Sequence, residues 1–252
     1  MTTVMEHPAA TPVGRVVNIV RLHMANPWTT IVLPWMIIGT IFLANLAIWN
    51  LIYANTPVKD RADLAEGLQY SGGSFYIFVY MMVVAVMAMS VTFPFALGYG
   101  VTRRDFYLGS ALTFVGLSAM FTIGMTILSV IEDATGGWGV GGRMFSGVYF
   151  GENWLQRAFV FFVTFLFFFF VGAVAATIWV RWKANGLIAF FVGLGILLIG
   201  GAALITLTGS WGSVGQFFAT TGLLGSYAWS LVITAIAAVS GFFVLRRATP
   251  KS

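Results

Sequence analysis

Six stretches of about 20 mostly apolar residues, at 28–53, 74–97, 107–131, 155–180, 186–207 and 222–245, constrain this chain more than any other feature. A stretch of that length matches one helical crossing of a bilayer's hydrocarbon core. The remaining positions agree, because 59% of the residues are hydrophobic and only 8% charged, whereas a soluble domain carries charge at roughly a quarter of its positions. The 13 Lys and Arg with 8 Asp and Glu cannot coat a soluble domain of 252 residues, so most of the surface faces lipid. The expected fold class is an all-α membrane protein of six transmembrane helices. The first stretch is too long for a signal-peptide core and lacks a small-residue cleavage site, so it is expected to stay as a true span.

Basic residues orient the spans. Arg15, Arg21, Arg103, Arg104, Arg181, Lys183, Arg246, Arg247 and Lys251 fall on one side of the six-span reading, and Lys59, Arg61, Arg143 and Arg157 on the other. That excess places both termini in the cytoplasm. Asp60, Asp63, Glu66, Glu132, Asp133 and Glu152 fall outside, against Glu6 and Asp105 inside, which supports the same orientation weakly. The chain then divides into a cytoplasmic N-terminus with an interfacial helix (1–27), a six-helix transmembrane domain (28–245) and a cytoplasmic tail (246–252). The net charge of +5 belongs to this membrane-surface pattern. No basic run exceeds a pair, so no nucleic-acid partner is expected.

Before the first span, Val13, Val16, Val17, Val20 and Met24 recur at helical spacing, with Arg15, Asn18 and Arg21 on the opposite arc. That pattern reads as an amphipathic helix lying in the interface, or as a simple topology anchor, and Pro27 separates it from the span. Trp28, Trp35, Trp49, Tyr53, Trp154, Trp179, Trp182 and Trp229 lie near or within span ends and are expected to be headgroup-level anchors. The phenylalanine-rich run from Phe159 to Phe170 covers all faces of the fourth span, so it is expected to be lipid-facing bulk rather than an aromatic pathway. In the last span Gly222, Ser226, Ser230, Thr234 and Ala238 recur every four residues, a stripe of small side chains suited to close helix packing or to a polar lining.

Several chemistries lack their residues. The chain has no cysteine, which removes disulfides, thiolate catalysis and iron–sulfur ligation. His7 and His23 are the only histidines and precede the spans, so neither a Ser–His dyad nor paired haem ligands can form at depth. No span has a central Asp, Glu or Lys. Asn45, the deepest strongly polar residue, is expected to donate a hydrogen bond between helices. No G-x-x-x-x-G-K-[ST] phosphate loop occurs, so the chain cannot bind and hydrolyse a nucleotide in that way by itself. It is expected to be non-catalytic, with no cofactor and no metal of its own. The glycine-rich loop 136–151 reads as a flexible connector.

The connection between the second and third spans leaves and re-enters the membrane within about ten residues. It reads Phe95-Ala96-Leu97-Gly98-Tyr99-Gly100-Val101-Thr102-Arg103-Arg104-Asp105-Phe106-Tyr107-Leu108-Gly109, a basic tip bracketed by aromatics, with Pro94 weakening the preceding helix. Together with the N-terminal helix and the six spans, this segment resembles the "G-V-[ST]-R-R-x-[FY]" coupling segment of the ABC type-2 permease family, the membrane half of many bacterial ABC exporters. The resemblance covers nearly the whole chain as architecture and this one segment as sequence.

The resemblance implies that Gly100, Thr102, Arg103, Arg104, Asp105, Phe106 and Tyr107 form a coupling helix seated on a separate ABC ATPase subunit, which would supply Mg-ATP. By the same resemblance, Thr102, Arg103, Arg104 and Asp105 make polar contacts there, Phe106 and Tyr107 pack, and the N-terminal helix braces the contact. It further implies a second permease copy or paralogue, a glycine-broken re-entrant hairpin at 208–221, and a multi-pass protein of the bacterial plasma membrane. The function expected is export of an amphipathic or hydrophobic compound, since deep charges that would accompany free ions are missing. The alternatives are an ATPase-independent channel or carrier, and a membrane sensor or assembly subunit.

Overall fold

The structure is a computed structural model and describes residues 11–248. Glu6, His7 and Lys251 lie outside the described residues, as do the ends of the terminal segments 1–27 and 246–252. Among the described residues there is no strand. The helices are α1 Pro12–His23, α2 Leu33–Asn55, α3 Arg61–Gly67, α4 Tyr76–Met87, α5 Phe93–Gly98, α6 Arg103–Ala134, α7 Trp154–Leu207 and α8 Trp211–Arg246. Five helical segments are long and apolar enough to cross a membrane: Trp28–Asn55, Val58–Gly98, Arg103–Ala134, Trp154–Leu207 and Trp211–Arg246.

The segments expected as separate spans at 155–180 and 186–207 lie in the one helical run α7, 54 residues long, which departs from helical dihedrals at Lys183 (φ 57, ψ −149). The chain folds back there. Val171, Ala175 and Trp179 line the same pocket as Leu187, Phe190 and Phe191, so the two halves lie side by side. In α8 the departure is at Gly222 (φ 68, ψ −177), a conformation that costs a glycine little and an L side chain much. The stretch 208–221, expected to be broken by its glycines, breaks at Gly209 (φ 64) in the turn between α7 and α8, is helical from Trp211 onward, and is followed by the second break at Gly222.

Two prolines open the helices ahead of them. A wide, π-type turn, Trp28–Val32, precedes Pro34 in α2, and another, Ala88–Thr92, joins α4 to α5 ahead of Pro94. The first has a traceable consequence. The Leu33 N–H donates to the Trp28 carbonyl and Pro34 has no N–H, so the Thr29 carbonyl loses its helical donor. It accepts instead from Tyr80 Oη, at 2.8 Å, a bond between the first two spans worth about 1 kcal/mol.

The core is aromatic and centred on the first half of α7. Phe161, Phe165 and Phe169 are fully buried, against Phe150 (4.7 Å between ring centroids), Phe78 (4.6 Å) and Phe114 (5.0 Å, stacked). The expectation that this phenylalanine run is lipid-facing bulk is therefore corrected. α7 is enclosed by α4 and α6, so rings on several of its faces find other rings rather than lipid.

Three more expectations change. Trp49, expected at the headgroups, is buried beneath the glycine-rich loop, because a Cβ on Gly142 would lie 2.1 Å from its ring. Asn45 Nδ2 donates to the Ile41 carbonyl of its own helix at 2.9 Å, not to another helix. The loop 136–151 is built around a carboxylate and is no slack connector. Glu132, fully buried, accepts at Oε1 from the N–H groups of Phe145 and Ser146 and the Ser146 hydroxyl. At Oε2 it accepts from the Met144 N–H and Trp138 Nε1, all at 2.6–3.0 Å. Beside it Asp133 pairs with Arg143 and with Arg157, and Arg157 also donates to the carbonyls of Gly151 and Glu152. A buried carboxyl group persists only when its oxygens are hydrogen-bonded, as those of Glu132 are, and a buried guanidinium only when it is paired, as Arg157 is with Asp133.

Candidate functional site

The basic turn lies between α5 and α6. Gly100 takes a left-handed conformation (φ 79) that reverses the chain after α5, and Thr102 then caps α6 by accepting the Asp105 N–H at 3.1 Å. Asp105 sits in the first turn of α6, where a carboxylate meets the positive end of the helix dipole. It is nearly buried and receives Arg15 Nε from α1 at 2.9 Å, the arginine itself being half exposed. That exposure limits the pair to about 1 kcal/mol or less, so its value is positional.

The residues assigned to the turn therefore separate. Thr102 is used in the cap and Asp105 in the bond to α1. Phe106 is fully buried against Phe93 and the His23 ring, at 5.2 and 5.6 Å. Tyr107 is buried, donating to the Ala238 carbonyl at 2.5 Å beside Gly241 of α8. Arg103 donates to the Arg246 carbonyl at 3.2 Å, at the end of α8 where the helix dipole favours a cation. Arg104 is exposed, with neither hydrogen bond nor ion pair among the described residues; Tyr99 and Phe95 are exposed too, their rings 4.8 Å apart. The outcome is a rigid knob fastened to α1 and α8, presenting one free guanidinium and two aromatic rings.

α1 is rotated from the orientation its valines suggest. The face against α6 is formed by Arg15, Ile19 and His23, with Ile19 buried. Val13 and Val17 are exposed, Val16, Val20 and Met24 partly buried, and Arg21 exposed. Ile19 was not distinguished in the sequence because its partner is an absence. Gly109 of α6 lacks the Cβ that would lie 2.5 Å from Ile19 Cβ and 2.9 Å from the Val16 carbonyl oxygen, and that fit belongs to a pair of residues far apart in the chain. His23 Nε2 meets Ser110 Oγ at 2.7 Å, and burial pushes the imidazole down to about 4, so it is neutral near pH 7.

The small-residue stripe of α8 also separates. Thr234 is buried, Ser230 and Ala238 partly so, and the face turned to the bundle continues through Ala237, Gly241 and Leu245. Gly222 belongs to the break and has open space where a Cβ would sit. The hydroxyls of Ser226, Ser230 and Thr234 bond carbonyls of their own helix, the usual local outlet for a hydroxyl in a helix.

Among the described residues no group of His, Asp and Glu is arranged to hold a metal. Compared with known protein families, characterised proteins and solved structures, the chain matches none.

Proposed function

We propose that the chain is the permease subunit of an ATP-driven exporter of the ABC type-2 kind, moving an amphipathic or hydrophobic compound and energised by a separate ATPase. One observation carries the reading. The basic turn is bonded to α1 through Arg15 and Asp105 and to α8 through Arg103 and Tyr107, while Arg104, Tyr99 and Phe95 are left outward. A surface that receives a push there would pass it to three helices at once, which suits rigid-body rocking of a span bundle.

The topology proposed has six crossings. At 1.5 Å per residue a straight 54-residue helix would be about 80 Å long, far beyond a bilayer core of about 30 Å. The reversal at Lys183 therefore divides α7 into two spans, with Arg181 and Lys183 at the cytoplasmic surface of a bacterial plasma membrane. Both termini and the basic turn lie on that side, α1 rests in the interface, and the working complex holds two permease chains and two ATPases binding Mg-ATP.

The test is Arg103→Ala with Arg104→Ala. Expected are intact insertion, reduced recovery of an ATPase with the chain, and hydrolysis uncoupled from efflux in reconstituted vesicles, with Lys at both positions rescuing insertion better than efflux. ATP-dependent efflux undiminished in the double variant would remove the coupling role. Failure to recover any nucleotide-binding partner from native membranes would remove the ABC reading and leave a channel, carrier or sensor.

A further inference from the structure

A cavity of about 350 Å³ opens at the elbow where α1 gives way to the first span. That size lies in the range of pockets that hold small molecules. Both wide turns contribute to it, through Thr29 and Thr30 from one and Ala88 and Thr92 from the other. Its floor is Phe114 and Leu117 of α6, and its mouth is flanked by Val83 and Met87 of α4, which are 47% and 56% exposed. Exposed apolar residues on a span face lipid, so the cavity opens sideways into the bilayer. An apolar space of this volume is not held by water, which needs two or more polar partners.

Polarity within the cavity is segregated. The α4 and α6 walls are apolar except for Tyr80 and Thr113, whose hydroxyls are taken up by the Thr29 and Gly109 carbonyls, whereas His23, Asn26 and Thr29 gather at the elbow. Asn26 Oδ1 accepts the Trp28 N–H at 3.2 Å, and its Nδ2 donates to nothing among the described residues. Residues 11–30 include no Asp or Glu. Arg15 is held by Asp105, while Arg21 lies outside the lining, one helical turn before Ala25 at the cavity's edge, makes no ion pair among the described residues and is exposed. An apolar cavity entered from lipid, with a hydrogen-bonding collar and a free cation one turn from its edge, matches the order of groups along an anionic phospholipid: chain, ester, phosphate.

We propose that the elbow cavity binds an anionic glycerophospholipid, with one acyl chain between α4 and α6, its ester level at Asn26 and its phosphate at Arg21. The bound lipid splints α1, otherwise held to α6 through Ile19, Arg15 and His23. This site is independent of any ATPase partner.

The probe is phosphatidylglycerol carrying a diazirine near the end of one acyl chain, placed in phosphatidylcholine vesicles with the full-length protein. After photolysis, labelling is expected to concentrate on the peptides bearing residues 83–88 and 114–117. Val84→Phe, which fills the cavity, and Ala25→Trp, which obstructs its edge without entering the core, should each lower that labelling at least about tenfold, as loss of about two buried methylenes implies. Labelling of the lipid-facing 196–199 should stay unchanged, and gel filtration identifies any variant that has not folded. A phosphatidylcholine probe of the same design should label the cavity several-fold less, with Arg21→Gln erasing the difference. Cavity labelling no greater per residue than at 196–199, or unaffected by both variants, overturns the site. Equal labelling by the two probes overturns the anionic headgroup.

Discussion

Residues 154–182 and 184–207 belong to one helical run and are both apolar, yet they live in different surroundings. Fifteen residues of α7 are buried, all between Arg157 and Val180, whereas no residue from Arg181 to Ile233 is buried. The first half carries rings that interlock with Phe78, Phe114 and Phe150. The second carries Gly193, Gly195, Gly200 and Gly201, each with open space where a Cβ would sit. Apolarity alone decides that a segment enters the bilayer; the match of its shape to neighbours decides whether it becomes core.

The sharpest way to break this contrast is to truncate one side chain in each half. Phe165→Ala should lower stability by about 3–5 kcal/mol through the cavity it leaves. Leu197→Ala, at a position 68% exposed, should stay within about 0.5 kcal/mol. Unfolding of the purified chain in mixed micelles measures both. A Leu197→Ala cost matching that of Phe165→Ala would mean that the second half is covered in the assembled protein.

Acid should loosen the packed side selectively. His23 has its pKa lowered from 6.5 to about 4 by burial, so between those values an undocked α1 binds a proton that the docked one refuses. Docking is fully retained above about pH 6.5 and weakens as pH falls towards 4, by at most about 3 kcal/mol since one unit is 1.36 kcal/mol. Limited proteolysis within 12–23 should accelerate at pH 5 relative to pH 7.5, and His23→Asn should remove that dependence. A rate equal at both pH values in the unaltered chain would contradict the burial.

A methyl-sized change at two glycines sharpens the same contrast. Gly109→Ala should displace α1 at a cost of about 1–3 kcal/mol, since its added Cβ meets Ile19 and the Val16 carbonyl. The Cβ of Gly200→Ala meets nothing within 4 Å and should leave proteolysis of α1 unchanged. A small gain rather than a loss is expected at the hinge between the halves. Lys183 holds a positive φ natural to glycine, so Lys183→Gly should stabilise the chain by about 1 kcal/mol, read as a small rise in Tm. A fall would mean that the lysine's charge at the hinge outweighs the backbone strain.

The sequence by itself determined an all-helical chain with apolar segments long enough to cross a membrane, and the place of the basic turn. Apolar length and charge are properties of short stretches of chain, and a short stretch displays them. Only the tertiary structure decided which apolar residues are core, because burial of Phe161 and exposure of Ile199 depend on which other helices arrive. It also decided which way α1 faces, since the Ile19 contact is written in the missing Cβ of Gly109, ninety residues away. The same holds for Glu132. An isolated acid at a helix end reads as a solvated charge, and it becomes the centre of a loop only when Trp138, Met144, Phe145 and Ser146 turn five donors onto its carboxylate. A hydrogen bond requires both partners within about 3 Å, and the distance between residues far apart in sequence is what folding sets.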